Sequence, residues 1–204
     1  NMLYRMNLRR AYLPVLVIPI VVSILWHVFN GKLPHTDPGH YFEAAQLNYH
    51  VYLDHGFLAA LKSSYTQRIW KPILHQTFAV PFLILSGGKI AFSVAIPLVI
   101  FFSLLILLLF KIACEFLNDW DSIILTLLVG GVHWIISTSY EYGSEVFIIS
   151  SLLGCMLFLL RLYKEFDFKN AVFLGFFLAL SLCFRPDITL LTLTPALIFF
   201  CFQL

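Results

Sequence analysis

The sequence contains few charged residues and little that suggests a soluble protein. Asp, Glu, Lys and Arg make up 12% of the 204 residues, about half of the roughly 25% that is usual in soluble domains. The four cysteines lie in or beside apolar runs, with neither a CxxC pattern nor a spacing with histidine that suits zinc. The composition therefore argues against a soluble domain, a disulfide framework and a zinc site.

Hydrophobic residues instead fill 60% of the chain, in runs near the ~20 residues that a helical membrane span needs. We predict an all-α fold, a polytopic transmembrane helix bundle in which residues 1–204 form a single transmembrane domain. The run at 11–30 is too long for a cleaved signal peptide and is expected to be a retained anchor. Because the last run has no flanking anchor, the chain is expected to be part of a longer protein. The apolar runs predict helices near 11–30, 90–110, 122–139, 146–161, 170–184 and 188–204.

A shorter run at 73–86 is ambiguous, since about 14 residues suit an interfacial segment better than a span. The distribution of Lys and Arg among the loops decides between the two readings. If 73–86 lies along the outer surface, the basic residues before the first span and the cluster at 161–169 all become cytoplasmic. We therefore predict that 73–86 is interfacial and that residues 31–72 form the first extracytoplasmic loop.

That long loop has its own helical pattern. Apolar and aromatic residues recur through Tyr41–His55, Gly56 breaks the pattern, and Phe57–Leu61 resumes it. Long loops in compact proteins are usually functional or structured. We expect interfacial helices here, lying on the membrane surface.

The candidate functional residues occur at loop positions on the predicted outer side. Asp37 stands in an Asp-Pro-Gly turn and is either a reacting carboxylate or the N-cap of a following helix. Arg68 and Lys71 flank Trp70, either as interface anchors or as a cationic grip on a phosphate group.

Two further acidic or basic motifs complete the set. Arg185 lies between two apolar runs, where an arginine usually has an anionic partner; that partner is either a ligand or the nearby Asp187. Glu141 and Glu145 either complement the N-terminus of the next helix or hold a divalent cation such as Mg²⁺ or Mn²⁺ through oxygen ligands.

The order of these motifs resembles that of the type-C glycosyltransferases, and more narrowly the protein O-mannosyltransferase and aminoarabinose-transferase group. In that group the first outer loop carries Asp-Glu-x-x-Tyr; here Asp37 and Tyr41 keep the spacing, and Pro38 stands in place of the second acid. Lys71-Pro72-Ile73-Leu74 is similar to the group's Lys-Pro-Pro-Leu, and Leu85-Ser86-Gly87 to the Phe-Gly that ends the short segment. Arg185-Pro186-Asp187 is similar to its Lys/Arg-Pro-Glu.

This resemblance implies a hexosyl- or pentosyltransferase that moves a sugar, with inversion, from a polyprenyl-phosphate donor to an acceptor hydroxyl on a lipid, glycan or protein. Asp37 would be the general base, and Glu141 or Glu145 would position the donor or a metal. Arg185 would stabilise the departing phosphate, with Arg68 and Lys71 as further candidates for that role. His40, Tyr41 and Asp187 would complete the substrate-binding set.

Two other functions remain open at this point. A transporter or lipid-carrier flippase would place ionisable residues in mid-span and break helices in both halves, whereas no acidic residue falls in mid-span here. A noncatalytic membrane subunit or a polysaccharide polymerase is the second alternative. Nothing in the composition suggests a nucleic-acid partner. An outward-facing site suggests a bacterial inner membrane or an ER-type membrane, and we expect the bacterial inner membrane.

Overall fold

In the computed structural model, the described residues are 17–18, 21–22, 24–25, 29, 37–66, 77–131, 145–185, 187–190 and 194. All regular secondary structure within these ranges is helical, as predicted. The helices are α1 (Asp37–His55), α2 (Phe57–Thr66), α3 (Val80–Leu85), α4 (Ile90–Ala113), α5 (Asp119–Gly130), α6 (Glu145–Lys164) and α7 (Phe168–Phe184).

The first two helices follow the pattern predicted for the long loop. Gly56 separates them and has φ +81°, a left-handed conformation that glycine adopts without strain. Phe42, Ala44 and Ala45 bury one face of α1. The two helices and the break between them are thus as expected, while their position on a membrane surface stays a prediction.

The ambiguous segment at 73–86 yields only the six-residue helix α3 within the described residues. Pro81 lies in its first turn, where a missing N–H is tolerated. Gly87 and Gly88, with φ +63° and +83°, then turn the chain into α4. The Gly88 N–H donates to the Leu83 carbonyl at 2.8 Å, which closes the turn.

Helices α4 and α6 run parallel to each other. Three pairs of partners, the last involving Glu115 just after α4, are 46 or 47 positions apart, which is the pattern of parallel packing. The pairs are Phe101 with Phe147 (ring centroids 4.8 Å apart), Leu108 with Cys155 (one buried cluster) and Glu115 with Arg161 (3.1 Å).

Helix α7 runs antiparallel to α6, because the residue numbers of its partners fall as those of α6 rise. The pairs are Phe147 with Phe184 (centroids 5.0 Å apart), Gly154 with Phe177, and Phe158 with Phe173 (4.9 Å). The helix pair therefore has two distinct ends. We call the end where α6 begins and α7 finishes the Arg185 end, and the end where α4 and α6 finish the Glu115 end.

The aromatic core lies toward the Arg185 end. Phe78, just before α3, packs its ring against Phe101, Phe147 and Phe184 at centroid distances of 5.2, 5.9 and 6.2 Å. Phe42 of α1 belongs to the same buried cluster. Helices α1 and α3 therefore lie beside the N-terminal part of α4 and the C-terminal end of α7.

Two described helices are long and apolar enough to cross a membrane, judged by length and composition: Phe92–Ala113 within α4, and α6. Helix α7 is apolar but shorter.

The helix predicted at 122–139, which is α5, begins earlier, at Asp119, because the Asn118 side chain caps it by accepting a hydrogen bond from the Asp121 N–H at 3.0 Å. Its described part finishes at Gly130, and most of the helices predicted at 11–30 and 188–204 lies outside the described residues. The number of membrane crossings therefore stays a prediction.

Candidate functional site at the Arg185 end

Arg185 is held by a neighbouring carboxylate. Helix α7 finishes at Phe184, and Arg185 leaves the helical conformation with φ −155° and ψ 86°. Its Nε donates to Asp187 Oδ1 at 3.1 Å, and its Nη2 to Oδ2 at 3.0 Å. The two-pronged pair is the local arrangement that the sequence offered as the alternative to a ligand-binding arginine.

The pair is exposed enough to exchange partners. The Arg185 side chain is 31% accessible and that of Asp187 is 65% accessible. The hydrogen bond from Arg185 is the main reason that the pKa of Asp187 lies below its usual value. Exposed ion pairs contribute little to stability, so an anionic ligand can replace Asp187 at Arg185 at small cost.

The main chain around Arg185 is well defined by hydrogen bonds. The Arg185 carbonyl accepts from the Thr189 N–H at 3.0 Å and from the Thr189 hydroxyl at 2.7 Å. The helical turn at 187–190 is therefore tied to Arg185 through Thr189. These bonds fix the backbone while leaving the guanidinium at the surface.

Glu145 lies at the same end of the bundle. It is the first residue of α6 and is exposed, and the antiparallel register puts it level with the turn that follows α7. A carboxylate in the first helical turn is favoured by the helix dipole, which is the structural alternative considered for it. Glu141 lies outside the described residues.

The remaining predicted site residues are placed only in part. Asp37 is the first residue of α1, and His40 and Tyr41 follow in the same helix, but their side chains lie outside what the structure describes. Arg68 and Lys71 lie outside it entirely. A cavity shared by Asp37 and Arg185 thus stays a prediction.

The metal prediction also remains open. In the described ranges, no group of three or more His, Cys, Asp or Glu residues could hold a metal ion. One of the two predicted ligands, Glu141, falls in a gap between those ranges, so the carboxylate pair is not tested. Cys114, Cys155 and Cys183 are free thiols.

The structure also reveals a buried polar residue that the sequence did not single out. The Asn48 side chain lies on the packed face of α1 with no accessible surface. In the sequence it stands in an otherwise ordinary amphipathic pattern, so the only available signal was an amide at a position where the helical period places apolar residues.

Comparison with known families decides the broad class of this protein. The family described as dolichyl-phosphate-mannose-protein mannosyltransferase matches residues 70–203. The chain belongs to that family. Comparison with curated proteins gave no match, and neither did comparison with solved structures.

Membership in the mannosyltransferase family confirms the resemblance found in the motifs and identifies a membrane glycosyltransferase family. The matched region contains Lys71, Glu141, Glu145, Arg185 and Asp187. It begins after Asp37, His40, Tyr41 and Arg68, so the role of the first loop rests on the motif resemblance alone.

Proposed function

We propose that this protein transfers a sugar from a polyprenyl-phosphate donor to an acceptor hydroxyl, with inversion, at the extracytoplasmic face of the membrane. The family match over residues 70–203 carries the proposal. Given that match, mannose is the first sugar to test. A protein, a glycan and a lipid are all acceptors of the required chemistry.

The arrangement of the helices supports a site at the Arg185 end. Glu145 and Arg185 both lie there because α6 and α7 are antiparallel. Helix α1, which begins at Asp37, packs beside the start of α4 at the same end: a Cβ atom on Gly88 would lie 3.5 Å from the Tyr49 ring. A base from α1 and a cation from the finish of α7 can therefore serve one substrate.

In the proposed reaction Asp37 accepts the proton of the acceptor hydroxyl as that oxygen attacks the anomeric carbon. The new bond forms on the face opposite the phosphate, so the configuration inverts. The bond between the anomeric carbon and the phosphate oxygen breaks, and polyprenyl phosphate leaves with the bonding electron pair.

Arg185 supports the departure of the phosphate. Negative charge grows on the leaving oxygen in the transition state, and a guanidinium placed there stabilises it. Arg185 would release Asp187 and take the phosphate in its place. Arg68 and Lys71 are further candidates for the same charge, and Glu141 or Glu145 would orient the donor or hold a divalent cation such as Mg²⁺ or Mn²⁺.

The acidic residues support an outward-facing site without a midplane transport pathway. Among the described apolar helices, α4 and α7 contain no acid, and the only acid in α6 is its first residue, Glu145. With the basic cluster at 161–169 in the cytoplasm, the Arg185 end faces outward. We propose a multi-pass protein of a bacterial inner membrane on this basis.

Replacement of Asp37 by Asn tests the proposal directly. Asn keeps the size and the capping ability of Asp but cannot accept the proton, so sugar transfer from a mannosyl-phosphoprenol donor should fall about 100-fold or more. The melting temperature should stay near that of the wild type. Asp54→Asn is the matched control, since Asp54 is an exposed acid of the same helix. Equal transfer by the Asp37 and Asp54 variants would contradict the role of Asp37 as the base.

A further inference from the structure

Aromatic side chains are placed differently at the two ends of the bundle. Toward the Arg185 end the phenylalanines of the core pack against one another, and Phe147 and Phe184 have no accessible surface. At the Glu115 end five aromatic residues are instead exposed, with 57% to 84% of their surface accessible. We call these five residues the aromatic rim: Phe116, Trp120, Tyr163, Phe166 and Phe168.

The aromatic rim comes from chain segments that meet at the Glu115 end. Phe116 follows α4 directly, and the Nζ of Lys164 lies 5.9 Å from the centre of its ring. Tyr163 comes just before that lysine in the last turn of α6, and the other two phenylalanines stand where the chain turns from α6 into α7. Trp120 is in the first turn of α5. The rim therefore lies at the end of the bundle where α4 and α6 finish.

Charged residues alternate with the rings of the aromatic rim. Trp120 stands between Asp119 and Asp121, and residues 164–169 read Lys-Glu-Phe-Asp-Phe-Lys. A protein surface packed tightly over the rings would also take these charges out of water, which is costly unless each charge is paired. Bulk water, on the other hand, would leave five large rings exposed together. The rim therefore suits neither a dry protein interface nor water alone.

The position of the aromatic rim along the helices indicates its partner. The apolar part of α4 finishes at Ala113, just before the rim begins, and α6, the other described helix long enough to cross a membrane, finishes at Lys164. The boundary between hydrocarbon and water accommodates rings and neighbouring charges together, and Trp and Tyr are enriched there. We infer that the aromatic rim binds the interfacial region of a lipid bilayer, where the acyl chains meet the headgroups. The inference rests on the proposed function only for its membrane setting.

The charges at the Glu115 end indicate which lipids the rim accepts. Four cations and five acids stand in residues 111–121 and 161–169, so the charge is nearly balanced. Glu115 also holds two of the cations, Arg161 and Lys164. A surface that selects anionic lipids has an excess of Lys and Arg. The rim is therefore expected to bind zwitterionic lipid as readily as anionic lipid, through its rings.

Helix α5 provides a scale on which the depth of the rim can be measured. Gly130, its last residue, lies against Ile106, seven positions before α4 finishes, so α5 runs back along α4 from the Glu115 end. Trp120, Ile124 and Leu128 are exposed and one helical turn apart, and successive positions differ by about 6 Å along the axis. If the rim lies at the interface, Ile124 and Leu128 lie progressively deeper in hydrocarbon.

Fluorescence quenching of the full chain in phosphatidylcholine vesicles tests this order. Replacement of the other tryptophans by phenylalanine leaves Trp120 as the single indole; the replaced residues are Trp26, Trp70 and Trp134. Phospholipids brominated at successive depths of the acyl chain then report the depth of that indole. We expect Trp120 to be quenched most by bromine nearest the headgroup, and to keep that preference when phosphatidylglycerol is added.

Two matched variants of the same background extend the measurement along α5. Each carries Trp120→Phe together with Ile124→Trp or Leu128→Trp, and bromine placed progressively deeper should quench each one best. A thermal melt of every variant, compared with the wild type, checks that the fold is kept.

A second measurement leaves all tryptophans in place. A photoreactive p-benzoylphenylalanine in place of Phe166, the most exposed member of the rim, should crosslink to phospholipid on illumination. The same group in place of Phe110, which is buried in α4, is the control and should give crosslinks within the chain and no lipid adduct.

Several results would overturn the inference. Quenching of Leu128→Trp but not of Trp120 by brominated lipid would remove the rim from the interface, and crosslinks from position 166 to protein without lipid adducts would assign the rim to a protein partner or a second copy of this chain. Quenching of Trp120 only after phosphatidylglycerol is added would contradict binding through the rings. Failure of the proposed function is distinguishable: no quenching at any of the three positions would contradict the membrane setting itself, whereas Asp37→Asn with full transfer activity would contradict the base and leave lipid binding by the rim intact.

Discussion

Each end of the helix bundle has an arginine paired with a carboxylate, but one pair joins two helices and the other lies within a single turn. At the Glu115 end, Arg161 and Glu115 are 46 positions apart and join α6 to α4 at 3.1 Å, and Lys164 reaches the other carboxylate oxygen at 2.8 Å. At the Arg185 end, Arg185 and Asp187 are two positions apart. The first pair links two helices, and the second links two residues of one turn.

The carboxylates of the two pairs also differ in how far they are buried. The Glu115 side chain is 19% accessible, and its two cations also lie over aromatic rings, Arg161 over Phe158 and Lys164 over Phe116. Asp187 is mostly in solvent. An exposed carboxylate two residues away, such as Asp187, can be exchanged for a ligand at small cost, whereas a carboxylate shared by two cations across helices cannot be released without loosening the packing. On this comparison the Glu115 end holds the helices together, and substrate binding at the Arg185 end is our proposal.

The largest effect should come from breaking the Arg185 pair on its cationic side. Arg185→Gln removes the charge that we propose for the leaving phosphate, so transfer should fall about 100-fold or more. The melting temperature should change little, because the pair is exposed. Steady-state transfer rates with a mannosyl-phosphoprenol donor and a thermal melt of the same preparation measure the two quantities.

The complementary variant Asp187→Asn sharpens this result. It breaks the same ion pair but keeps the cation, so transfer should stay within a few-fold of the wild type. If Asp187→Asn instead lost as much activity as Arg185→Gln, the ion pair itself would be required, and Arg185 would act as part of the turn.

Much of the helical fold could be predicted from hydrophobic patterns. The runs at 90–110, 146–161 and 170–184 correspond to α4, α6 and α7, and the break at Gly56 separates α1 from α2 as expected. The start of α5 was placed too late because the prediction followed hydrophobicity alone. The Asn118 cap that moves the start to Asp119 was visible in the sequence as an Asn with an Asp three residues later.

The site could be predicted only where partners are near in sequence. Arg185 and Asp187 are neighbours, so the sequence itself indicates their pairing as one of two possible arrangements. Glu115 and Arg161 meet only because α4 and α6 pack in parallel at a particular register, which no local pattern specifies. The burial of Asn48 depends in the same way on residues distant in the chain.

The next prediction concerns the packing of α6 against α7. This packing sets the register that places Glu145 beside the turn at Arg185. Gly154 lies against the ring of Phe177, and a Cβ atom there would overlap it. Gly154→Ala should therefore destabilise the protein by about 1–3 kcal/mol, seen as a lower melting temperature. Gly175→Ala in α7 is the control, since nothing lies within 4 Å of its Cβ position, and it should melt at or above the wild-type temperature. Equal melting of the two variants would contradict the close packing at Gly154.

The smallest effect is expected from the Glu115 pair and depends on pH. Hydrogen bonding from Lys164, with further support from Arg161, holds the pKa of Glu115 below its usual value despite partial burial. A lowered pKa in the folded state means that the stabilisation is complete above the unfolded-state pKa near 4.5 and is lost as pH falls through the folded-state value. Glu115→Gln should thus melt below the wild type at pH 7, by the equivalent of about 1 kcal/mol. As the pH is lowered below about 4.5 the two melting curves should converge, because protonation of Glu115 removes the same charge.

Glu165→Gln removes an exposed carboxylate near the same end and should follow the wild-type pH profile throughout. A difference between Glu115→Gln and the wild type that stayed constant down to pH 3 would show that Gln disturbs the packing, and that the ion pair does not hold α4 against α6.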